Sequence, residues 1–230
     1  MNIAIALDGP GGSGKSTIAK RVAAKLNIFH IDTGAMYRTV AVYCLKNNID
    51  VSDKDAVVSI LDDIKIGFEF SGGAQKIFLN GEDVSEEIRT VEVNQAVPVV
   101  SCYKKVREKL INIQRKLAKT YPVIMDGRDI ASNVLPSAEV KIFLTADPVV
   151  RAKRRHLELK NKGVNIEFED VLKEISSRDE IDSTREESPL IKTDDAVELD
   201  TTNLNLGEVT EKILTIIKFA KGDGCCAKTD

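Results

Sequence analysis

Short apolar runs recur along the chain, and each ends at a small, polar or acidic residue. The first run, residues 3–7, stops at Asp8-Gly9 and shows no alternation of apolar and polar positions. Runs of this kind are typical of strands that are buried on both faces of a parallel sheet. The pattern predicts five such strands, over residues 3–7, 29–31, 123–125, 140–144 and 196–199.

Between these runs the apolar residues recur at helical spacing. Ile18, Val22 and Leu26, for example, share one face of a helix that begins near Lys15. Alternating strands and helices predict an α/β fold of three layers, with a five-stranded parallel core sheet covered by helices. The predicted helices cover residues 15–26, 34–47, 53–61, 86–96, 106–119, 147–162, 167–182 and 207–220.

One segment departs from this alternation. Ile66, Phe68 and Phe70 alternate with smaller or charged residues, which is the period of a strand with one buried face. Asn80-Gly81 is a strong signal for a two-residue hairpin turn. We therefore predict a small antiparallel insert over residues 64–84.

The composition and net charge of the chain argue against several classes of protein. The chain has 230 residues, of which 43% are hydrophobic and 30% charged, enough to build a core. A net charge of −3 and the absence of Trp argue against a protein that grips nucleic acid by bulk charge or base stacking. The sequence has no apolar run long enough for a membrane span and no basic segment typical of a signal peptide. Its four cysteines form no C-x-x-C pair, so we expect a reducing cytoplasm.

Residues 9–17 match the phosphate-binding loop pattern G-x-x-x-x-G-K-[ST], between a predicted strand and a predicted helix. Glycines let successive backbone N–H groups turn toward phosphate oxygens, and the start of the helix favours negative charge. Lys15 would reach the β- and γ-phosphates of ATP, and Ser16 would offer a hydroxyl to Mg²⁺. The predicted ATP-binding residues are Gly9, Pro10, Gly11, Gly12, Ser13, Gly14, Lys15, Ser16 and Thr17.

Arginines form the second signal. Arg38 and Arg128 follow the second and third core strands, where the carboxyl ends of parallel strands meet at one crevice. Guanidinium groups bind phosphate oxygens with two parallel hydrogen bonds. Arg151, Arg154 and Arg155 lie in a charged helix that is either a solvated face or a mobile lid over the transferred phosphoryl group.

The nature of the acceptor stays open at this point. A phosphate acceptor is already largely ionised at neutral pH and needs no base, whereas an alcohol would need a carboxylate such as Asp126, Asp129 or Asp32. A kinase for a small alcohol is therefore one alternative. An ATP-switched binding protein, with residues 147–185 as its partner surface, is another. His30 and His156 are unsuited to catalysis, and for His30 a packed neutral ring is expected.

Five segments together resemble the bacterial cytidylate kinases over residues 2–218. The five segments read I-A-L-D-G-P-G-G-S-G-K-S-T, I-D-T-G-A-M-Y-R, M-D-G-R-D-I, K-I-F-L-T-A-D-P and R-D-x-x-D-S-T-R-E-E-S-P-L. The I-D-T-G-A-M-Y-R and D-G-R-D segments are far more specific than the phosphate-binding loop alone. The resemblance implies transfer of the γ-phosphoryl group of ATP to CMP or dCMP, with Mg²⁺ as cofactor.

The resemblance also implies roles for single residues. Thr33, Arg38 and Arg128 match positions that hold the acceptor phosphate, and Tyr37 packs beside it. Arg107 and Asp129 match positions that recognise cytosine, Arg178 and Asp182 contact the sugar hydroxyls, and Arg185 lies near the sugar and phosphates. The expected substrate-binding residues are Thr33, Tyr37, Arg38, Ser101, Arg107, Asp126, Gly127, Arg128, Asp129, Arg178, Asp182 and Arg185. The expected catalytic residues are Lys15, Arg128, Arg151, Arg154 and Arg185.

Pro98 departs from the family, which often has a serine that contacts the base at this position. Because proline has no hydroxyl, we expect Ser101 or water to replace that contact, or base selectivity to be looser.

The same comparison suggests how the chain is divided. Residues 1–33, 101–147 and 186–221 would form the core around the phosphate-binding loop. Residues 34–100 would bind the monophosphate and carry the β insert, and residues 148–185 would form a short, arginine-rich lid. We expect a flexible tail over 222–230, which holds Cys225 and Cys226, and a cytoplasmic monomer that binds small nucleotides and neither nucleic acid nor a membrane.

Overall fold

The computed structural model describes residues 3–71, 74–161 and 163–220, so the predicted tail over 222–230 lies outside them. The strands are β1 (Ala4–Asp8), β2 (Phe29–Asp32), β3 (Ile66–Ser71), β4 (Ala74–Leu79), β5 (Glu82–Asp83), β6 (Val123–Gly127), β7 (Val140–Thr145) and β8 (Val197–Asp200). The helices are α1 (Lys15–Leu26), α2 (Thr33–Lys46), α3 (Lys54–Ser59), α4 (Val91–Cys102), α5 (Lys104–Thr120), α6 (Pro148–Asn161), α7 (Phe168–Thr184) and α8 (Leu206–Ala220).

The core sheet has five parallel strands, as the sequence predicted, and their order is β2-β6-β1-β7-β8. Successive side chains of a strand point to opposite faces. Ile5 and Leu7 of β1 therefore pack with residues of α1 and α8, whereas Ala6 and Met125 lie on the other face with residues of α5. Helices cover both faces, which gives the three-layer α/β arrangement.

The strand register brings acidic residues to one edge of the sheet. In the parallel pairing Asp8 lies opposite Gly127, and Asp32 lies opposite Asp126. All four residues stand at the carboxyl ends of their strands, where ligands of open α/β sheets bind. The hydrophobic pattern that buries the strands thus also fixes the position of these carboxylates.

A second apolar core lies beside the sheet. Buried residues of α2, α4, α5 and the insert form it, including Met36, Leu79, Val97 and Leu110. The insert is an antiparallel sheet of β3, β4 and β5, as predicted, and Asn80-Gly81 links β4 to β5. Asn80 has φ 52° and Gly81 has φ 90°, the left-handed pair that a type I′ hairpin turn requires.

The structure corrects the predicted helix over residues 86–96. A short 3₁₀ turn spans Glu87–Arg89, and α4 then runs through Pro98 to Cys102. Proline removes one helical N–H donor and usually marks a boundary. Here Val93, Val97 and Val100 are buried in the second core, and this packing keeps the helix continuous.

A π-helical turn over Ile130–Val134, which directly follows Arg128-Asp129, was not predicted.

Within the described residues, no helix has the length and apolar content needed to cross a membrane.

Candidate active site

The phosphate-binding loop turns tightly between β1 and α1. A Cβ atom on Gly9, which has φ 146°, would lie 2.0 Å from the carbonyl oxygen of Leu144 in β7. Gly14, with φ 90°, is the residue that precedes α1. Glycine is therefore required at Gly9 by space and at Gly14 by backbone conformation. The loop ends at the start of α1, where free N–H groups favour an anion.

Lys15 lies inside this loop and is only 6% exposed. Its Nζ donates to the carbonyl oxygen of Pro10 at 2.7 Å and to Ser13 Oγ at 3.3 Å. Burial, and then the charge of Arg128, lowers the pKa of Lys15 well below its usual value, although Asp126 and Asp8 act in the opposite direction. The ammonium is thus short of negative charge, which the phosphates of a nucleotide would supply.

Ser16 and Asp126 place two kinds of oxygen ligand side by side. Ser16 Oγ donates to Asp126 Oδ2 at 2.6 Å, and His30 Nε2 lies 2.6 Å from Asp126 Oδ1. Burial raises the pKa of Asp126, but contacts with His30, then Ser16, then Lys15 outweigh it, so the pKa lies below its usual value. An ionised carboxylate beside a hydroxyl suits Mg²⁺, which prefers a few protein oxygens together with water and phosphate. The residues present therefore fit the metal that the loop implies.

Asp8 is a buried carboxylate that the sequence analysis did not select. It accepts hydrogen bonds from the backbone N–H groups of Ile130 at 2.8 Å and Ala131 at 2.7 Å. Ile130 and Ala131 are the first two residues of the π-helical turn. Asp8 therefore ties the segment that carries Arg128 and Asp129 to the end of β1.

An alternating network of guanidinium groups and carboxylates fills the crevice. Arg107 Nη2 lies 2.5 Å from Asp129, and Arg185 lies 3.6 Å from Asp129 and 3.4 Å from Asp182. Arg128 Nε donates to Asp182 at 2.7 Å. Burial raises the pKa of Asp182, but Arg128 and its neighbouring arginines outweigh it, so the pKa lies below its usual value.

Positive charge is in excess in this network. Arg178 also lies 4.0 Å from Asp182, so four arginines share two aspartates, an excess of two positive charges. Burial, and then the charge of Arg128, lowers the pKa of Arg178 to about 10. Arg107 Nε and Arg185 Nη2 are buried without a hydrogen-bond acceptor among the described residues. The crevice thus holds both charge and donors for a further anion.

Three further predicted site residues, Thr33, Tyr37 and Arg38, lie in α2 and form one wall of the crevice. Thr33 Oγ1 donates to the carbonyl oxygen of Asp126 at 2.7 Å, and Arg38 lies 3.4 Å from Asp32. The guanidinium of Arg107 lies 5.4 Å from the centre of the Tyr37 ring, within the range of a cation–π contact. Burial raises the pKa of Tyr37, so its phenol stays neutral.

Gly127 lies against this wall. A Cβ atom there would lie 2.6 Å from Ile130 Cδ1 and 2.8 Å from Thr33 Oγ1, so only glycine fits.

Ser101 contacts this site through its backbone. Its carbonyl oxygen accepts from Arg107 Nη1 at 3.1 Å, whereas its hydroxyl donates to the carbonyl oxygen of Pro98 at 3.0 Å. Ser101 therefore lies next to Arg107, and its hydroxyl is engaged by Pro98.

Arg151 and Arg154, which were expected at the transferred phosphoryl group, both contact protein groups in this structure. Arg151 is 4% exposed, donates to the carbonyl oxygens of Gly11 and Ala146 at 2.9 Å each, and pairs with Asp179 at 2.6 Å. Arg154 donates to the hydroxyl and carbonyl of Thr201, beyond β8. Arg151 thus joins α6 and α7 to the phosphate-binding loop, and the structure does not place Arg154 in the arginine–carboxylate network.

Several residues that contact the site were given no role from the sequence. Asn133 Nδ2 donates to Asp129 at 3.1 Å and to Ser188 Oγ at 2.8 Å. Asp179 lies in the R-D-x-x-D segment, of which only Arg178 and Asp182 were predicted at the site, and it pairs with Arg151 of α6. For Asp8, the signal was its position at the end of a buried strand.

The chain is similar to known proteins over nearly its whole length. Residues 5–219 match the family model described as cytidylate kinase. Relatives named cytidylate kinase from Bacillus cereus and Bacillus thuringiensis are each 49% identical over 221 residues, which cover 95% of this chain and 98% of the relative. A gluconokinase structure from Sinorhizobium meliloti aligns with 16% identity and a TM-score of 0.49, over 96% of this chain and 95% of its own.

The raised pKa of Asp8 gives a testable dependence of stability on pH. Burial raises this pKa from 3.8 to about 6 in the folded protein, so the folded state binds more protons than the unfolded state between these values. The contribution of Asp8 to the free energy of unfolding therefore falls by about 2 kcal/mol as the pH rises from 4 to 7. Asp8→Asn removes this titration.

Urea unfolding of both proteins at pH 4 and pH 7 measures the effect. The wild type is expected to lose about 2 kcal/mol relative to Asp8→Asn over this range. Parallel pH profiles for the two proteins would contradict the assignment.

Proposed function

The chain belongs to the cytidylate kinase family and so phosphorylates CMP with ATP, and we propose that the loop around Lys15 and the arginine–carboxylate network are the two halves of its active site. The observation that carries this proposal is the excess of two positive charges in the network, next to the loop. A phosphate monoester carries close to two negative charges at neutral pH. Arg128 joins the halves, because its Nη2 lies 3.6 Å from where a Cβ of Gly11 would be.

The donor half would hold the triphosphate of ATP. Backbone N–H groups of residues 11–17 and the side chain of Lys15 would face the phosphates, and the anionic oxygens would replace the contacts of Lys15 with Pro10 and Ser13. Ser16 and Asp126 would hold Mg²⁺, which neutralises part of the phosphate charge when bound.

The acceptor half would hold the monophosphate. Thr33, Arg38 and Arg128 bind the phosphate. Arg178 and Asp182 contact the sugar hydroxyls, and Arg185 lies near the sugar and the phosphates. Because the acceptor oxygen is already ionised, the reaction needs orientation and charge stabilisation rather than a base. This favours a phosphate acceptor over the alcohol that Asp126 or Asp129 would otherwise have to deprotonate.

Asp129 and Arg107 would select the base. A carboxylate accepts from the exocyclic amine of cytosine, and a guanidinium donates to its ring acceptors. The pair is already aligned, since Arg107 lies 2.5 Å from Asp129 and beside Tyr37. Uracil has no such amine and would set a carbonyl oxygen against the carboxylate. We propose that dCMP is accepted as well as CMP, as the resemblance to the cytidylate kinases implies.

Arg151 and Arg154 would reach the transferred group only after the lid moves, because their present contacts occupy both guanidinium groups. We propose that residues 34–100 and 148–185 close around the two nucleotides and exclude water, with residues 1–33, 101–147 and 186–221 as the fixed core. We also propose that the chain acts in the cytoplasm as a monomer, on small nucleotides alone.

A coupled assay with ATP and each of CMP, dCMP, UMP, AMP and GMP tests the proposal. CMP and dCMP are expected to be the best acceptors, because only cytosine matches Asp129. Best turnover with a purine nucleotide would contradict the assignment of the base site. ATP hydrolysis that is unaffected by CMP would instead favour an ATP-switched binding protein.

Asp129→Ala tests the base-recognition role separately from catalysis. The substitution is expected to lower kcat/KM for CMP about 100-fold and for UMP far less, because a lost pairing costs about 1–3 kcal/mol of discrimination. Asp62→Ala, at a fully exposed side chain, is the control and leaves both acceptors unchanged. Equal losses for CMP and UMP in a folded Asp129→Ala protein would refute the role.

A further inference from the structure

His30 is a buried group near the sheet edge to which the proposed function gives no part. It lies in β2, is 7% exposed, and its Nε2 stands 2.6 Å from Asp126 Oδ1. The parallel register places His30 opposite Ile124, two residues before Asp126 on β6. The side chain therefore spans from one strand to the carboxylate at the end of the next.

Each of the two carboxylate oxygens of Asp126 has its own hydrogen-bonding partner. Oδ1 is contacted by His30, and Oδ2 accepts from Ser16 of the phosphate-binding loop. A carboxylate bound through a single oxygen can rotate about its Cβ–Cγ bond. Two short contacts, one on each oxygen, fix that rotation and so fix the direction in which the free lone pairs point.

His30 has little space in which to move away from Asp126. The cavity beside it has a volume of about 20 Å³ and is bordered by Lys20, Gln75 and Arg89 among others. This is room for about one water molecule. The insert therefore closes the far side of the imidazole, since Gln75 belongs to β4 and also accepts from the backbone N–H of Asp32 at 3.3 Å.

We propose that His30 is a positioning residue for the metal: it orients the Asp126 carboxylate beside Ser16, so that the pair is set to hold the Mg²⁺ of the bound nucleotide. The inference rests on the proposed role of Ser16 and Asp126. Partners that hydrogen-bond to a ligating carboxylate typically contribute 10–100-fold in metal affinity. His30 touches neither nucleotide in this account and acts only through Asp126.

A purely structural role would have different consequences. If the contact only joined β2 to β6, its loss would lower stability and would affect nucleotide binding equally with and without metal. A positioning role instead predicts a loss confined to the metal-dependent part of binding. ADP is a suitable probe, because it carries the phosphates that bind Mg²⁺ and undergoes no turnover alone.

The test uses three variants of the full chain. His30→Leu removes the donor at similar volume, and His30→Gln keeps an N–H donor at the reach of Nε2. His156→Leu is the matched control, because His156 is the only other histidine and its Nε2 contacts the carbonyl of Ile166. Calorimetry gives the Kd for ADP with excess Mg²⁺ and with EDTA.

The expected result is a change in the ratio of the two Kd values. His30→Leu should lose about 10-fold of the tightening that Mg²⁺ gives, with its Kd in EDTA unchanged. His30→Gln should recover most of the wild-type ratio, and His156→Leu should keep all of it. A wild-type ratio in folded His30→Leu, or equal weakening with and without metal, would overturn the inference.

Two further outcomes distinguish a failure of the His30 role from a failure of the proposed metal site at Ser16 and Asp126. If Mg²⁺ does not tighten ADP binding to the wild type, the assignment of Ser16 and Asp126 fails, and the inference fails with it. If His30→Leu does not fold, long-range ¹H–¹⁵N spectra of the wild type decide the matter, with His156→Leu assigning the signals. A proton on Nε2 supports the contact with Asp126, and a bare Nε2 overturns it.

Discussion

The pairing of buried charges at the carboxyl edge of the sheet is the constraint on which the rest of the structure depends. Arg107, Asp129, Arg185, Asp182 and Arg128 alternate in sign through the crevice. Removing one partner of such a buried pair typically costs about 3–5 kcal/mol, because the remaining charge is left unpaired. In this state the aspartates hold the arginines together, and the two remaining positive charges define what the crevice can bind. A dianionic phosphate matches that excess, whereas a neutral acceptor would leave it in place.

The fold supplies these charges from distant parts of the chain. Asp8 at the end of β1 accepts from the backbone of Ile130 and Ala131 and so fixes the segment that presents Arg128 and Asp129. Asp182 and Arg178 come from α7, which Arg151 joins to the phosphate-binding loop through Asp179 and the carbonyl of Gly11. The phosphate-binding loop, the segment after β6 and the helices α6 and α7 are therefore coupled by hydrogen bonds and ion pairs.

Much of this was accessible from the sequence. The five strands followed from apolar runs, the insert from period-two alternation and Asn80-Gly81, and the phosphate-binding loop from its glycines and Lys15. The continuation of α4 through Pro98 was not, because burial of Val93, Val97 and Val100 outweighs a local propensity. Long-range pairs were also out of reach: nothing in the local pattern links Asp8 to residues 130–131, or His30 to Asp126. The engagement of Arg154 by Thr201 depends on tertiary contact that no helix pattern reveals.

A crystal structure with CMP and a non-hydrolysable ATP analogue tests the central claim most directly. The account predicts that Arg128 leaves Asp182 for phosphate oxygens, that other guanidinium groups of the crevice turn toward the two nucleotides, and that Asp129 meets the cytosine amine. Guanidinium groups that stay on the aspartates, or that point into solvent while both nucleotides are bound, would contradict it.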